Sequence, residues 1–256
     1  MNSQIERLAQ MLREAQYAVA LTGAGVSTDS GIPDFRSPTT GLWAQYNPME
    51  VASIGGFRSN PARFYEFWRQ RFAALADAQP NITHRVLAEL EARGSLKSVI
   101  TQNIDDLHRK AGSKRVLEVH GNYTRGLCIG CKKVYTIHEI FQKVARHRVP
   151  LCDECNSLLK PDVVLFGELL TPDFDQALDE IARCDLVLVL GTSLEVYPVA
   201  GLVPQAKQHG ARIALINRDR TPFDPIADLV IHEELQPAMT ELYRIFFGAR
   251  HGLALE

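Results

Sequence analysis

Four cysteines stand in two C-x2-C pairs, Cys128/Cys131 and Cys152/Cys155, with twenty residues between the pairs. No other feature of the chain restricts its fold as tightly. Two tight turns that each present two thiolates complete the tetrahedron a zinc ion takes from protein sulfur. Gly130 inside the first pair and Asn156 just after the second suit such turns. Four sulfurs saturate the ion, so the site is expected to build structure and to leave no position for a reactive water. The fifth cysteine, Cys184, stands before an apolar run and is expected to be buried and inert.

Zinc-bound thiolates belong where thiols stay reduced. The N-terminal stretch MNSQIERLAQMLREAQ carries charges and sets Ile5, Leu8, Met11 and Leu12 on one helical face, unlike a signal peptide. No apolar run approaches the roughly 20 residues of a membrane span. A cytoplasmic protein with no membrane partner is therefore expected. The formal charge is −2, from 28 basic and 30 acidic residues, so no global basic field draws in nucleic acid.

The rest of the chain alternates strand-like and helical segments. Apolar runs predict strands at Tyr17–Thr22, Leu96–Thr101, Val116–His120, Asp162–Phe166, Leu186–Leu190, Arg212–Asn217 and Leu229–His232. VALT, LVLVL and IALI are apolar on both faces, as in a parallel sheet covered on both sides. Amphipathic stretches at 3–15, 61–77, 81–92, 105–111, 172–183, 198–209 and 235–246 supply the covering helices. The predicted class is α/β, a Rossmann-like doubly wound parallel sheet. Residues 40–79 break the rhythm as a helical insert rich in rings, and residues 125–157 break it as the cysteine module. A single domain over 1–256 is expected, its core drawn from 1–39, 80–124 and 158–256, with insert and zinc module forming a second lobe.

The first strand runs into TGAGVSTDSGIPDFR. A glycine-rich turn between strand and helix lets N–H groups approach a phosphate. The full G-x-G-x-x-G pattern is absent, because position 28 is Thr, and GAG alone also suits a plain turn. Pro33, Asp34, Phe35 and Arg36 add a fixed φ, a ring and a guanidinium, which suit a loop that covers a ligand. Other predicted strands also end in polar groups: Gln102, Asn103 and Asp105; His120; Thr192 and Ser193; Asn217. Open α/β sheets bind ligands at the carboxyl ends of their strands, so these ends imply one shared crevice, against the plainer account that loops are polar anyway. His120 reads either as a general base, since imidazole titrates near neutrality, or as a satisfied structural group. His84 and His108 fall in predicted helices and are expected to be structural.

GAGVSTDSGIPDFR, TQNIDDLH, HG followed by the four cysteines, FGE at 166–168, GTSLEVYP and IN at 216–217 resemble, in that order, the sirtuins, NAD-dependent protein deacylases, in their compact bacterial and archaeal form. The resemblance implies that NAD lies between the Rossmann core and the second lobe. It implies NAD contacts from Ala24, Gly25, Thr28, Phe35, Arg36, Gln102, Thr192, Ser193 and Asn217, with Ile104 and Asp105 at the nicotinamide and Asn103 placing the ribose and a water. His120 matches the catalytic base. The acyl-lysine oxygen would attack the anomeric carbon as nicotinamide leaves. His120 would then accept a ribose proton so that a hydroxyl attacks the intermediate, giving lysine, nicotinamide and O-acetyl-ADP-ribose. The substrate would be an acylated-lysine peptide added as a strand between Gly167, Glu168 and Leu169 on one side and Glu195, Val196 and Tyr197 on the other. Val164 and Phe166 would wall the lysine tunnel, though both also suit ordinary core.

The acyl group is the open point of the resemblance. In the branch that removes succinyl and malonyl groups, the insert supplies a Tyr and an Arg three residues apart. PARFYEFWRQRF places Trp68 and Arg71 at those positions. Arg71 suits a distal carboxylate or a solvated helix face, and Trp68 offers no phenol. Acetyl is the expected group. Acidic acyl groups, or ADP-ribosyl transfer to protein on the same scaffold, are the alternatives. A zinc-ribbon nucleic-acid binder would interleave basic and aromatic residues around the metal, and it leaves the strand ends unexplained. A monomer is expected.

Overall fold

The strands AVALT and LVLVL bury all five of their residues, because helices cover both faces of the sheet that holds them. The computed structural model describes residues 2–35 and 41–248. In chain order its strands are β1 (Ala18–Thr22), β2 (Ser98–Thr101), β3 (Val116–Glu118), β4 (Gly121–Cys128), β5 (Val134–Thr136), β6 (Leu159–Val163), β7 (Leu186–Leu190), β8 (Arg212–Ile216) and β9 (Leu229–Ile231).

Six of these pair in parallel in the order β3-β2-β1-β7-β8-β9. The chain enters at β1, walks to one edge, returns beside β1 as β7 and walks to the other edge. This is the doubly wound order, and its reversal between β1 and β7 is the point where such sheets bind ligands. Helices Asn2–Glu14, Ile82–Ala92 and Leu235–Phe247 bury one face, with Ile5, Leu8, Met11 and Leu12 turned inward. Helices Asp173–Arg183 and Leu202–Gln208 bury the other. Each large apolar side chain so buried contributes about 1.5–3 kcal/mol before entropy is counted. Cys184 is buried among them, and burial pushes its thiol up to about 12.

The remaining strands form an antiparallel sheet, β5-β4-β6. It packs with helices Pro48–Val51, Ile54–Ser59, Pro61–Asp77 and Ile137–His147 into a second core, which holds the rings of Phe57, Phe64, Tyr65, Phe67, Trp68 and Phe72. The Tyr65 hydroxyl donates to the Leu159 carbonyl at 2.7 Å and so ties the helical insert to β6.

The main-sheet strand expected at Asp162–Phe166 is a correction. The strand there is β6, shifted to Leu159–Val163, and it belongs to the small sheet. Its burial alternates along the chain, unlike the fully buried central strands. Gly121 explains the change of sheet. Its φ is +81°, and a Cβ there would stand 2.1 Å from the Asp162 carbonyl oxygen, so glycine lets the chain turn out of β3 and run beside β6. Residues 121–124, assigned to the core from sequence, therefore lie in the second sheet. Phe166 instead makes a parallel bridge with Ser53 of the insert. Smaller differences follow the backbone. β3 stops at Glu118, short of His120, and the helix expected at 105–111 starts at Leu107 after a left-handed Asp106. Among the described residues no helix is long and apolar enough to cross a membrane.

Candidate active site

At the switch point the loops after β1 and β7 interlock. Gly23 N–H donates to the Leu190 carbonyl at 3.1 Å, and Gly25 N–H donates to the Gly191 carbonyl at 2.9 Å. A Cβ on Gly25 would lie 2.9 Å from Gly191 Cα, so the bare Gly25 is first a solution to this crossing. The chain then winds into a 3-10 turn, Ala24–Ser30. Above it opens a cavity of about 1010 Å3 between the parallel sheet and the second lobe. That volume lies at the top of the usual range for ligand pockets, roughly 300–1,000 Å3.

Every cofactor, peptide and acyl-group residue expected from the sequence lines this cavity, from Ala24 to Asn217, except Arg36, which lies outside the described residues. The strand ends are cross-linked. Gln102 Nε2 donates to Thr192 Oγ1 at 3.0 Å, joining the ends of β2 and β7. Asn103 Nδ2 donates to the Gly23 carbonyl at 3.1 Å and to Ser27 Oγ at 3.0 Å. Ser27 Oγ in turn donates to Asp105 Oδ2 at 2.6 Å, and Leu107 N–H donates to Asp105 Oδ1 at 2.9 Å. Burial raises the Asp105 carboxyl above its ordinary range, while the Ser27 hydroxyl and the Leu107 N–H pull it back. Ser27 was not among the expected residues. Its signal is a small polar residue inside a glycine loop, which sequence alone does not separate from a turn-former.

His120 is half-buried at the cavity wall, and its Nδ1 lies 3.0 Å from the Gln102 carbonyl oxygen. A carbonyl only accepts, so Nδ1 carries the proton, and in the neutral ring Nε2 is the basic nitrogen. Phe35 stacks on Trp43 with centroids 5.1 Å apart, and Trp43 stands 6.5 Å from Phe166. Trp43 is a second lining residue that no motif disclosed.

At the cavity wall Leu169 is 92% and Tyr197 68% exposed. Glu168, expected to meet substrate, turns its carboxylate back onto its own loop. Glu168 Oε2 accepts from Leu165 N–H at 2.9 Å and pairs with Lys160 Nζ at 2.9 Å. Lys160 also donates to the Val163 carbonyl at 2.6 Å. Trp68 is occupied as well: Nε1 donates to the Val51 carbonyl at 2.6 Å, and the ring stacks on Phe72. The Arg71 guanidinium lies 3.7 Å from the Phe67 centroid and 4.9 Å from that of Tyr46, with Nη1 donating to the Phe67 carbonyl.

The four cysteine sulfurs lie within 4.8 Å of one another, with Cys128 and Cys155 3.3 Å apart and Cys131 and Cys152 3.6 Å apart. Tetrahedral zinc with bonds near 2.3 Å needs edges of about 3.8 Å, so the set fits the ion closely, and no pair approaches the ~2.05 Å of a disulfide. Tyr135 Oη donates to Cys152 Sγ at 3.2 Å and accepts from Asp153 N–H at 3.1 Å. None of the four cysteines lines the cavity.

A doubly wound sheet with its crevice roofed by a metal-braced lobe, and a histidine of fixed tautomer at the crevice wall, defines a dinucleotide-dependent α/β enzyme of two lobes. The family model described as "Sir2 family" matches residues 23–198. The chain belongs to the Sir2 family. It is 44% identical over 226 residues to an NAD-dependent protein deacetylase of Thermotoga maritima, covering 88% of this chain and 91% of that protein. It is 44% identical over 240 residues to NAD-dependent protein deacylase 1 of Archaeoglobus fulgidus, covering 93% and 96%. A solved Sir2 variant with a deacetylated p53 peptide and 3′-O-acetyl-ADP-ribose matches with TM-score 0.91 at 40% identity, over 94% of this chain and 97% of that one. A Sir2 protein bound to a propionylated peptide matches with TM-score 0.89 at 38% identity, over 96% and 99%.

Proposed function

We propose that this chain is an NAD-dependent protein-lysine deacetylase that yields deacetylated lysine, nicotinamide and O-acetyl-ADP-ribose. The observation that carries this is the His120 tautomer, set by Gln102 at the wall of a cavity whose other strand ends are locked together. NAD, when bound, supplies an anomeric carbon made electrophilic by the departure of nicotinamide. The turn Ala24–Ser30, the ring of Phe35, Arg36, Thr192, Ser193 and Asn217 hold it. Ile104, Asp105 and Asn103 receive its nicotinamide end, with Asn103 and Asp105 both fixed through Ser27. His120 Nε2 accepts the proton of a ribose hydroxyl, which makes that oxygen a nucleophile. The stacked rings of Phe35 and Trp43 line the same cavity and give it an apolar wall.

An acylated-lysine peptide lies against main chain at 167–169 and 195–197, with Val164 and Phe166 walling the lysine stem. One structural zinc on the four cysteines braces the second lobe. The same reading makes the protein a single-domain cytoplasmic monomer with no nucleic-acid partner.

A second reading, removal of acidic acyl groups, is favoured by one observation: the Arg71 guanidinium stands at the cavity wall between two rings.

Lysine peptides carrying acetyl, propionyl and succinyl groups, weighed by mass spectrometry with and without NAD, test the proposal. NAD-dependent loss of acetyl with matching O-acetyl-ADP-ribose is expected. An untouched acetyl peptide, or ADP-ribose attached to protein in its place, overturns it.

A further inference from the structure

Below the turn Ala24–Ser30, on the side away from the cavity, one side chain serves two elements at once. Asn81 caps the helix Ile82–Ala92: its Oδ1 accepts from Thr83 N–H at 3.0 Å, and its own N–H donates to His84 Nδ1 at 3.3 Å, closing a capping box. Its Nδ2 leaves the helix and donates to the Val26 carbonyl at 2.8 Å and to Ser30 Oγ at 3.0 Å. A side-chain amide has one acceptor oxygen and two N–H donors. Here the oxygen fixes the helix and the nitrogen grips the turn at its middle and its end.

The grip is backed from below. The His84 ring packs on that of His108 with centroids 4.8 Å apart, and His108 Nε2 hydrogen-bonds Thr22 Oγ1 at 3.0 Å. Thr22 is the last residue of β1, the strand that feeds the turn. The contacts therefore close a ring: β1 end, turn, Asn81, His84, His108, β1 end. None of Thr22, Asn81, His84 and His108 lines the cavity, so none acts on a ligand by touch.

We propose that Asn81 is a positioning residue for the dinucleotide, its amide nitrogen holding the Ala24–Ser30 turn in the shape that receives the cofactor. This role rests on the reading that the turn contacts NAD. The turn is short, and its main-chain bonds across to Gly191 hold its start only. Val26 and Ser30 lie further along it, where the Asn81 amide is the side chain that ties them to a rigid helix.

The two duties of Asn81 separate by substitution. Asn81→Asp keeps a good N-cap acceptor and removes both donors, while Asn81→Ala removes cap and grip together. Asn81→Asp is expected to melt within a few degrees of wild type, to raise the KM for NAD at least about tenfold and to leave the peptide KM within about twofold. Ser30→Ala, which spares the cap entirely, is expected to raise the NAD KM by about two- to fivefold, and it stands in if the Asn81 variants do not fold. A wild-type NAD KM in Asn81→Asp, or equal rises in both KM values, overturns the role. Ala24→Glu, inside the turn, separates the two failures. If it too leaves the NAD KM unchanged, the reading of the turn as the cofactor site falls; if it raises that KM while Asn81→Asp does not, only the role of Asn81 falls.

Discussion

His120 Nδ1–H donates a hydrogen bond to the carbonyl of Gln102 across 3.0 Å, so a residue at the end of β2 sets the chemistry of one just beyond β3. The basic nitrogen is thereby assigned before any ligand arrives. His120→Ala should lower turnover by about 10²–10⁴-fold, the usual worth of a general base. The ring is half-buried and outside both main cores, so the melting temperature should move by only a few degrees. Steady-state kinetics at saturating NAD decides it: a loss below tenfold removes His120 from this role.

The zinc tetrad lies apart from the cavity and is tuned by Tyr135, whose hydroxyl bonds Cys152 Sγ. Hydrogen bonds of this kind orient a ligand and strengthen metal affinity about 10–100-fold. Tyr135→Phe should fold but lose zinc to a competing chelator at a concentration lower by that factor. Cys152→Ser should lose both metal and stability, because the bound ion contributes folding free energy. A soluble, active, zinc-free Cys152→Ser protein would refute the structural reading of the site.

Lys160 and Glu168 brace the loop that precedes the exposed Leu169. The pair is mostly shielded from solvent and is worth about 1 kcal/mol, or roughly fivefold. Glu168→Gln should raise the peptide KM by about that factor and leave the NAD KM alone. An unchanged peptide KM would mean that the loop keeps its shape without the pair.

Much of this was legible in the chain because it is local. Each C-x2-C pair, each doubly apolar strand and the polar residues after it are written within a few consecutive positions. The misplaced strand at 162–166 was not legible, because VVLF has the look of a central strand, and its true partner is chosen by the turn at Gly121. Ser27 and Asn81 were hidden for a related reason. A lone Ser in a glycine loop and a lone Asn before a helix are ordinary in sequence, and only their contacts with Asp105 and Val26 set them apart. The fold-back of Glu168 and the committed N–H of Trp68 likewise depend on partners distant in sequence or on loop shape.

Arg71 offers a test of acyl preference. Its guanidinium rests on Phe67 and faces Tyr46 at the cavity wall. A charge-assisted bond to a distal carboxylate is worth about 1.5–3 kcal/mol, or roughly 10–100-fold. Arg71→Met keeps much of the apolar stem and should reduce desuccinylation by that factor against a small change in deacetylation. Equal loss on both substrates would assign Arg71 to packing alone.

The buried pair beneath the turn makes the fold acid-labile. Burial holds His108 down to about 3, and burial together with His108 holds His84 well below the ordinary histidine value. In the unfolded chain both titrate near 6.5. Above that pH both states are neutral and the pair costs nothing. As pH falls below about 6.5, the unfolded chain takes up protons that the folded core refuses, and stability declines toward the folded values, about 3 for His108. Each histidine contributes a slope of about 1.4 kcal/mol per pH unit in that window. Asp105 acts in the opposite sense, since burial raises its carboxyl and it is protonated first in the folded state. Melting temperatures of wild type and a histidine variant taken between pH 7.5 and 5 share that opposing contribution, so the difference between them reports the histidine. His108→Gln retains a partner for Thr22 and removes one titrating group, so its melting temperature should fall less steeply than that of wild type over this range. A slope equal to wild type would place the acid sensitivity outside this pair, and outside the ring that supports the cofactor turn.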